Sequence, residues 1–115
     1  MKLSIPYPPT VNHYWIQTGK RKTIGAKGIA YRNEVYYAVR TKKPAEPLSG
    51  RLSVKINATM PDKRRRDLDN ILKAALDGLQ NAGIYLDDCQ IDALEVRRGP
   101  VQKPGRLKIE ISEFS

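Results

Sequence analysis

Three aspartates are the residues of this chain whose types and spacing best fit a chemical reaction. Asp67 and Asp69 stand two positions apart where a helix is predicted to begin, and Asp87 and Asp88 follow about twenty residues later. Side chains at i and i+2 point apart on a helix but share one side of an extended segment. Asp67 and Asp69 therefore converge only if the helix begins between them. The spacing leaves open whether Asp87 or Asp88 joins them, because neighbours on an extended chain point to opposite sides.

A group of three carboxylates predicts a hard divalent cation. Two like charges repel by roughly 4 kcal/mol at close range when the effective dielectric constant is near 20, so three carboxylates together need a compensating cation. Oxygen ligands favour Mg²⁺, with Mn²⁺ as a substitute, over zinc. Such a metal binds a phosphate oxygen and lowers the pKa of an attacking water. This chemistry is that of phosphodiester hydrolysis.

Each candidate site residue, including Lys73 and His13, also has a purely structural explanation. Aspartate is favoured at helix N-termini, so Asp67 and Asp69 are equally suited to capping the helix. Lys73 lies one turn after Asp69, where it would either stabilise charge on a phosphate or form an i,i+4 ion pair with Asp69 or Asp77. His13 is a weaker candidate for a general base, since a single histidine in a long polar segment is usually a surface residue.

The strong positive charge predicts a polyanionic partner. The net charge is +9 and the isoelectric point is about 9.9, which favours nucleic acid as that partner. Acidic residues hardly enter the basic runs, so we expect few ion pairs there and phosphate contacts instead. The three runs are Lys20, Arg21, Lys22 and Lys27; Lys63, Arg64, Arg65 and Arg66; and Arg97, Arg98, Lys103, Arg106 and Lys108. Of these cations, we expect seven to bind DNA: Lys20, Arg21, Lys22, Lys63, Arg64, Arg65 and Arg66.

Several other classes of protein are excluded by composition. Cys89 is the single cysteine, so there is no internal disulfide and no basis for a cysteine zinc site; we expect it to be buried as a small apolar residue. The longest apolar run, Val35 to Val39, has five residues, against the ~18 needed to cross a membrane. The proline-rich start has no apolar signal segment. We therefore expect a soluble, cytoplasmic protein without a membrane partner.

The first half of the chain shows two well-patterned elements. Residues 2–5 are a short strand candidate, and residues 6–27 are expected to form a long irregular stretch, which in a small domain is usually functional. Helical spacing of apolar residues predicts a helix from about Gly28 to Thr41. Strict alternation from Leu52 to Met60 predicts a strand. Three aromatic residues in this half are expected either to stack on exposed DNA bases or to anchor the core: Tyr7, Tyr14 and Trp15.

The clearest helix lies directly after the second basic run. Apolar residues from Leu68 to Leu79 recur at helical spacing, and Gly83 is placed to end the helix. Residues 84–86 are expected to be a short strand parallel to the strand that ends at Met60, with the helix as their crossover. Both strands would then end at the same edge of the sheet as the aspartates, where sites form in open α/β arrangements.

The remaining pattern completes a single small domain. Residues 90–97 and 106–112 read as two further strands, and the Gly- and Pro-containing segment between them favours a hairpin. Strands and helices in this order predict an α+β fold with a small mixed β-sheet and two main helices packed mainly on one face. At 115 residues the chain is expected to be one domain, residues 1–115.

These motifs resemble the RusA family of Holliday junction resolvases over nearly the whole length, and we expect a RusA-like fold. The most specific part runs from Asp67 to Asp88. One departure is Ala26-Lys27, where such proteins often carry a small hydroxyl residue before the helix. The residues that carry the resemblance are Ile5 to Pro9, Asn12, Tyr14, Ala30 to Arg32, Met60 to Asn70, Lys73 to Ala75, Asp77, Ala82-Gly83, Leu86 to Asp88, Gln90 and Gly105 to Glu113.

The resemblance implies a homodimeric, Mg²⁺-dependent crossover junction endodeoxyribonuclease of DNA recombination and repair, which nicks two strands symmetrically across a four-way junction. It implies that Asp67, Asp69 and Asp88 bind the metal and that Lys73 is catalytic. It further implies that Arg66 contacts a phosphate. Two alternatives remain from the residues themselves: a metal nuclease for other branched DNA, and a non-catalytic basic nucleic-acid-binding protein whose aspartates cap a helix.

Overall fold

The computed structural model describes residues 1–114, apart from the side chains of Val11, Asn12 and Thr18; Asn12, part of the resemblance, thus has its side chain outside the described residues. A four-stranded mixed sheet has the order β1-β6-β4-β5, and β2 and β3 form a separate two-stranded sheet. The predicted α+β class is confirmed. The elements are β1 (Lys2–Pro6), α1 (Val11–Tyr14), β2 (Trp15–Thr18), β3 (Arg21–Ile24), α2 (Ala26–Val39), β4 (Leu52–Met60), α3 (Asp69–Asn81), a 3₁₀ turn (Asp88–Gln90), β5 (Ile91–Val101) and β6 (Arg106–Glu113).

The core lies between one face of the large sheet and the two main helices. In β4, residues alternate strictly between buried and more exposed positions from Leu52 to Met60, because successive side chains point to opposite faces. The buried positions of β1 and β6 belong to the same core as the buried sides of α2 and α3. The prediction that the helices cover mainly one face is confirmed, and the other face of the sheet is open and polar. No helix within residues 1–114 has the length and apolar character needed to cross a membrane.

Residues 6–27 are not the irregular stretch that was expected. After a proline segment they form α1 and then the hairpin of β2 and β3, in which Trp15 pairs with Ile24 and Thr18 pairs with Arg21. Gly19, with φ of 62°, forms the tight turn between the strands. The sequence does contain a short hairpin pattern, two extended runs on either side of a glycine. The many cations of this segment make that pattern hard to recognise.

Helix α2 begins two residues before the expected Gly28 and ends two before Thr41. Its N-cap, Gly25, makes no side-chain cap hydrogen bond. Helix α3 agrees with its pattern: it ends where expected, and Gly83 follows in a left-handed conformation with φ of 87°.

The expected strand at residues 84–86 is not part of the large sheet. Tyr85 forms only an isolated bridge with Leu48, while the parallel partner of β4 is β5, starting from Leu52 beside Ile91. Helix α3 is therefore the crossover into β5. The predicted geometry was wrong, because the Asp87-Asp88 segment precedes the amino end of a parallel strand instead of following a carboxyl end.

The expected hairpin of the last two strands is also wrong, because β4 lies between β5 and β6. The connection crosses the end of β4, where the Gln102 N–H donates to the Met60 carbonyl at 2.8 Å. Gly105 has φ of 84°, and a Cβ on it would lie 2.9 Å from the Pro61 nitrogen. The absence of a side chain at Gly105 permits this close crossing.

Candidate active site

Asp67 and Asp69 lie at the N-terminal end of α3. The helix begins at Asp69, and its N-cap, Leu68, makes no side-chain cap hydrogen bond. The Asp67 carbonyl accepts a 3.2 Å hydrogen bond from the Asn70 N–H, so the backbone of Asp67 supports the turn while its side chain remains exposed. The helix starts where convergence of the two carboxylates requires. The start of α3 thus lacks a side-chain capping hydrogen bond, although Asp69 in the first turn still suits the helix dipole.

A cleft of about 400 Å³ lies beside Asp67. It combines one carboxylate with two guanidinium groups, Arg65 and Arg66, so it presents both a metal-binding oxygen and phosphate-binding cations. Tyr7 forms another wall, and the Arg66 guanidinium lies over its ring at 5.6 Å from the centroid. Burial raises the pKa of the Tyr7 hydroxyl above its usual value, so this tyrosine enters the cleft neutral at pH 7. The cleft is lined by Tyr7, Pro8, Pro9, Thr10, Arg65, Arg66, Asp67, Asn70 and Ile71.

Asp62 orders the second basic run, contrary to the expectation of few ion pairs. Its carboxylate accepts from Arg66 at 2.9 and 3.3 Å and from the Arg64 N–H at 3.0 Å. The hydrogen bond from Arg66 and that from the Arg64 backbone hold the pKa of Asp62 below its usual value. Within residues 1–114, Lys63 and Arg65 take part in no ion pair. The run therefore has both anchored and unpaired cations.

The turn that carries Asp88 assigns different tasks to the two neighbouring aspartates. Asp87 caps the 3₁₀ turn by accepting from the Cys89 N–H at 2.9 Å, and it forms a capping box with Gln90. The Asp88 N–H donates to Oε1 of Gln80 at 3.0 Å. The carboxylate of Asp87 is thus used by the backbone, which leaves Asp88 as the carboxylate available for chemistry.

Gln90 clamps this turn to the segment before β4. It is 7% exposed and is the buried polar side chain of the described core. Its Oε1 accepts from the N–H groups of Leu86 and Asp87 at 2.9 Å, and its Nε2 donates to the carbonyls of Leu48 and Gly50 at 2.9 and 2.8 Å. Four backbone groups are satisfied by one side chain, so Gln90 fixes the position of Asp88.

Lys73 is the cation whose charge affects the pKa of Asp88. Burial raises the pKa of Asp88, the adjacent Asp87 raises it further, and the positive charge of Lys73 lowers it. Within the described residues Lys73 forms no ion pair with Asp69 or Asp77. The i,i+4 ion-pair explanation of Lys73 is therefore not borne out in this structure.

Asp77 is instead held by a separate polar network. Arg32 binds it through two hydrogen bonds of 2.8 and 3.1 Å, and the Tyr14 hydroxyl also donates to it. Tyr14 is fully buried, so it anchors the core and is not exposed for base stacking. Burial and the hydrogen bond with Asp77 raise its pKa to about 12. The network ties the start of the hairpin to α2 and α3.

One protomer does not bring the three aspartates together. Asp67 and Asp69 lie at the first turn of α3, and Asp88 is bonded to Gln80 in its last turn. Eleven residues of helix separate Asp69 from Gln80, or roughly 16 Å. Across residues 1–114, no three His, Cys, Asp or Glu side chains are grouped so as to hold a metal. The donor set of exposed carboxylates suits Mg²⁺ chemically, but it is divided between the two ends of a helix.

The other candidate residues lie at the surface or at the edge of the core. His13 is exposed, and its ring pairs with the Thr10 hydroxyl at 3.0 Å. Cys89 is exposed, so its expected burial was wrong; it sits on a 3₁₀ turn whose buried position is taken by Gln90. Trp15 packs against the core, and its indole N–H has no partner in the described part of the chain. The hairpin cations are all exposed: Lys20, Arg21 and Lys22.

Sequence reasoning missed the residues that support the site. Gln90, Gln80 and Asp62 hold the candidate residues in place through hydrogen bonds. One signal was available, because an aspartate followed three residues later by glutamine, as in Asp87 and Gln90, is typical of a capping box. Asp62 and Arg66 also have the i,i+4 spacing of an ion pair, whereas the hydrogen bond between Gln80 and Asp88 depends on the fold of the segment between them.

Comparison with known proteins identifies the family. The family model of endodeoxyribonuclease RusA matches residues 6–112. The chain belongs to the RusA endodeoxyribonuclease family. It is 46% identical over 110 residues to the crossover junction endodeoxyribonuclease RusA of Enterobacteria phage HK97, covering 96% of this chain and 92% of that protein. It is 40% identical over 112 residues to the RusA proteins of Shigella sonnei and Enterobacteria phage 82, covering 97% of this chain and 93% of each. As a RusA-family member, the protein is an endonuclease, and the predicted resemblance is confirmed.

Proposed function

We propose that this protein resolves four-way DNA junctions by paired, symmetric, Mg²⁺-dependent nicks, in DNA recombination and repair. Its relatives are named crossover junction endodeoxyribonucleases. The observation that carries the proposal is the exposed carboxylate of Asp67 in one cleft with Arg65 and Arg66, since a nuclease needs metal-binding oxygens beside phosphate-binding cations. The +9 net charge of the chain supports a DNA substrate.

The residues that would hold the metal are Asp67, Asp69 and Asp88. When bound, Mg²⁺ or Mn²⁺ supplies an electrophile for the phosphate and an acidified water. The chain itself contributes the orientation of the carboxylates, through the start of α3 for Asp67 and Asp69 and through the Gln90 clamp for Asp88.

A homodimer with shared sites accounts for the separation of these aspartates. We infer that Asp88 of one protomer completes the site formed by Asp67 and Asp69 of the other, because the length of α3 divides them within one chain. A twofold dimer would then have two equivalent sites. Two such sites suit the two opposed strands of a four-way junction.

Lys73 would act together with Asp88, whose pKa it lowers. Its ammonium group would neutralise charge that develops on the phosphate during cleavage. Arg65 and Arg66 would hold the sugar–phosphate backbone in the cleft, with Lys63 and Arg64 beside them. The exposed hairpin cations Lys20, Arg21 and Lys22 would contact a neighbouring arm of the junction. Phosphate contacts of this kind position DNA without reading its sequence.

The relatives come from bacteria and from phages. We propose that this protein acts in the bacterial cytoplasm, where both kinds of DNA recombine.

The decisive experiment is a Mg²⁺ titration on a mobile four-way junction, with the products mapped on all four strands. We expect paired nicks at symmetric positions that require the metal, and slower cutting of a fork and of linear duplex. Nicking of forks as fast as junctions would instead support a nuclease for other branched DNA. If no nicks form at any Mg²⁺ or Mn²⁺ concentration, the protein is a non-catalytic DNA-binding protein and the proposal is wrong.

A further inference from the structure

A second cationic surface lies on the face of the sheet turned away from the helices. There, a groove of about 340 Å³ runs across β1, β6 and β4. Three lysines approach it from different parts of the chain, two from the sheet and one, Lys42, from the segment after α2. We call it the lysine groove. Its polar lining consists of Lys2, Ser4, Lys42, Asn57, Lys108 and Glu110.

The charges of the lysine groove are not used within the protein. No ion pair in residues 1–114 involves Lys2, Lys42 or Lys108, although Glu110 lies in the same lining. Three cations converge on a space that holds one carboxylate, so the groove has an excess positive charge. Such an excess favours a polyanion over an apolar protein surface.

Two exposed tyrosines lie near the end of α2, shortly before the segment that carries Lys42. Tyr37 is 64% exposed and Tyr36 is 41% exposed, and their rings meet edge to face at 5.7 Å. Arg40 lies over the Tyr37 ring at 5.1 Å, and Lys43 lies over the Tyr36 ring at 5.5 Å. We call this the tyrosine surface. Lys42, which lines the lysine groove, lies between Arg40 and Lys43 in the sequence.

Exposed aromatic rings beside unpaired cations match the chemistry of DNA. Lysines bind the phosphate backbone, and tyrosine rings stack on unpaired bases whatever their sequence. Ser4 and Asn57 add hydrogen-bond donors for phosphate oxygens. Lysine and glutamate are depleted in protein–protein interfaces, whereas three lysines and one glutamate are among the eight residues that line this groove.

We propose that the lysine groove and the tyrosine surface form a second DNA-binding surface, which holds a junction arm by its backbone and stacks an unpaired base on Tyr37. This inference rests on the proposed function. The surface is separate from the Asp67 cleft, because that cleft lies beyond the carboxyl end of β4 and the groove lies on the open face of the sheet. It therefore contacts DNA outside the site of cleavage.

The test measures binding of a fluorescent four-way junction by anisotropy in metal-free buffer at several salt concentrations. The triple variant Lys2→Gln, Lys42→Gln and Lys108→Gln should bind about tenfold or more weakly near 100 mM salt, and its salt slope should fall by about 2 to 3. The matched control is Lys55→Gln, because Lys55 lies on the same face outside the groove lining and has two acidic cross-strand neighbours, Glu95 and Glu110. It should bind as the wild type does.

Stacking is tested separately at Tyr37. Tyr37→Ala should lower the affinity for the junction about fivefold or more, whereas Tyr37→Phe keeps the ring and should bind within about twofold of the wild type. Phe114→Ala removes another exposed aromatic residue and should have no effect. A 2-aminopurine placed at the branch point should be quenched by the wild type and by Tyr37→Phe, but less by Tyr37→Ala.

Three outcomes would overturn this proposal: unchanged affinity and salt slope in the triple variant, an equal loss in Lys55→Gln, or a change only in self-association, which would mean that the surface joins protein copies. The proposed function is judged separately by Mg²⁺-dependent nicking. A wild type that never nicks, with a triple variant that loses binding, would refute the nuclease and keep the surface. A wild type that nicks, with a triple variant that binds normally, would refute the surface alone.

Discussion

The backbone N–H of Asp88 donates a 3.0 Å hydrogen bond to the side chain of Gln80 and so lies beside the last turn of α3. Asp67 precedes the first turn of the same helix. The two carboxylates that are expected to share a metal thus lie at opposite ends of α3 within one protomer. This separation leads to an experiment on mixed protomers.

Mixing two inactive variants should restore cleavage. Asp67→Asn and Asp88→Asn should each abolish nicking as homodimers but still bind the junction, because each would remove a proposed metal ligand and no proposed phosphate contact. If a site takes Asp67 from one protomer and Asp88 from the other, a heterodimer of the two variants has one intact site. We expect single nicks, measured on a junction labelled on all strands after the variants are unfolded and refolded together.

The control for this experiment is a mixture of Asp67→Asn with Asp69→Asn. Both changes fall at the same end of α3, so neither site of the heterodimer is complete and no nicks are expected. If the first mixture is as inactive as the second, although heterodimers form, each site belongs to a single protomer and the shared-site model is wrong.

Replacing Gln90 with leucine should loosen the Asp88 turn. The change removes four hydrogen bonds to backbone groups, and the buried groups left without them should cost about 2–4 kcal/mol in the free energy of unfolding. Urea denaturation measures this loss. Because Asp88 depends on the same turn, nicking should also require more Mg²⁺.

Gln17→Leu is the matched control for Gln90→Leu. Gln17 is exposed and makes one hydrogen bond, from its Nε2 to the Gly19 carbonyl at 2.9 Å. Its replacement should change the free energy of unfolding by no more than about 0.5 kcal/mol. Equal effects of the two changes would show that Gln90 does not act as a clamp.

The stability of the protein should fall in strong alkali, partly through Tyr14. The folded protein holds the pKa of Tyr14 at about 12 instead of 10.0, so the unfolded chain releases this proton first as the pH rises. The stabilisation is complete below pH 10 and is lost between pH 10 and pH 12. Tyr14→Phe should flatten this part of the profile, as measured by denaturation at each pH.

Some alkaline loss should remain in Tyr14→Phe, because burial also raises the pKa of Tyr31 and Tyr85. Identical slopes for the variant and the wild type would contradict the prediction and would mean that the Tyr14–Asp77 contact does not hold the proton.

Gly28→Ala should destabilise the protein although it improves helix propensity. A Cβ at Gly28 would lie 2.5 Å from the Tyr14 carbonyl oxygen and 2.6 Å from Cγ1 of Ile24, so α2 would be pushed away from the hairpin. We expect a loss of about 1–3 kcal/mol, against a gain of up to about 1 kcal/mol for the same change in an open helix. Thermal denaturation is the measurement.

Gly50→Ala provides the comparison, since a Cβ there would meet no atom within 4 Å. Its free energy of unfolding should remain within about 0.5 kcal/mol of the wild type. A Gly28→Ala variant as stable as this control would show that the contact between α2 and the hairpin yields easily.

Local patterns predicted the elements that lie nearest to the chemistry. The alternation of β4 and the helical spacing of α3 were both confirmed, with the start of α3 at Asp69. These elements bury one face, so their periodicity is visible in the sequence alone. The family was also predictable, because the segment from Asp67 to Asp88 is specific.

The pairing of the strands was not predictable in the same way. Strand β5 continues through Gly99 and Pro100 to Val101, a segment that reads as a turn. Because β5 is an edge strand, a proline without an N–H is tolerated there. In the sequence alone, residues 84–86 resemble a strand more closely than this segment does. Only tertiary contacts make β5, and not residues 84–86, the parallel partner of β4. Asp88 lies in the turn that directly precedes β5, so its position depends on this strand pairing.

Strand β6 lies between β1 and β4 although it is the last strand of the chain. During synthesis, β1 and β4 leave the ribosome long before the strand that joins them, so the sheet stays incomplete until residues 106–113 have emerged. Until then, the apolar faces of β1 and β4 remain exposed where β6 will later lie between them. A chain that stops before Arg106 would lack the middle of its sheet and become a substrate for chaperones and proteases.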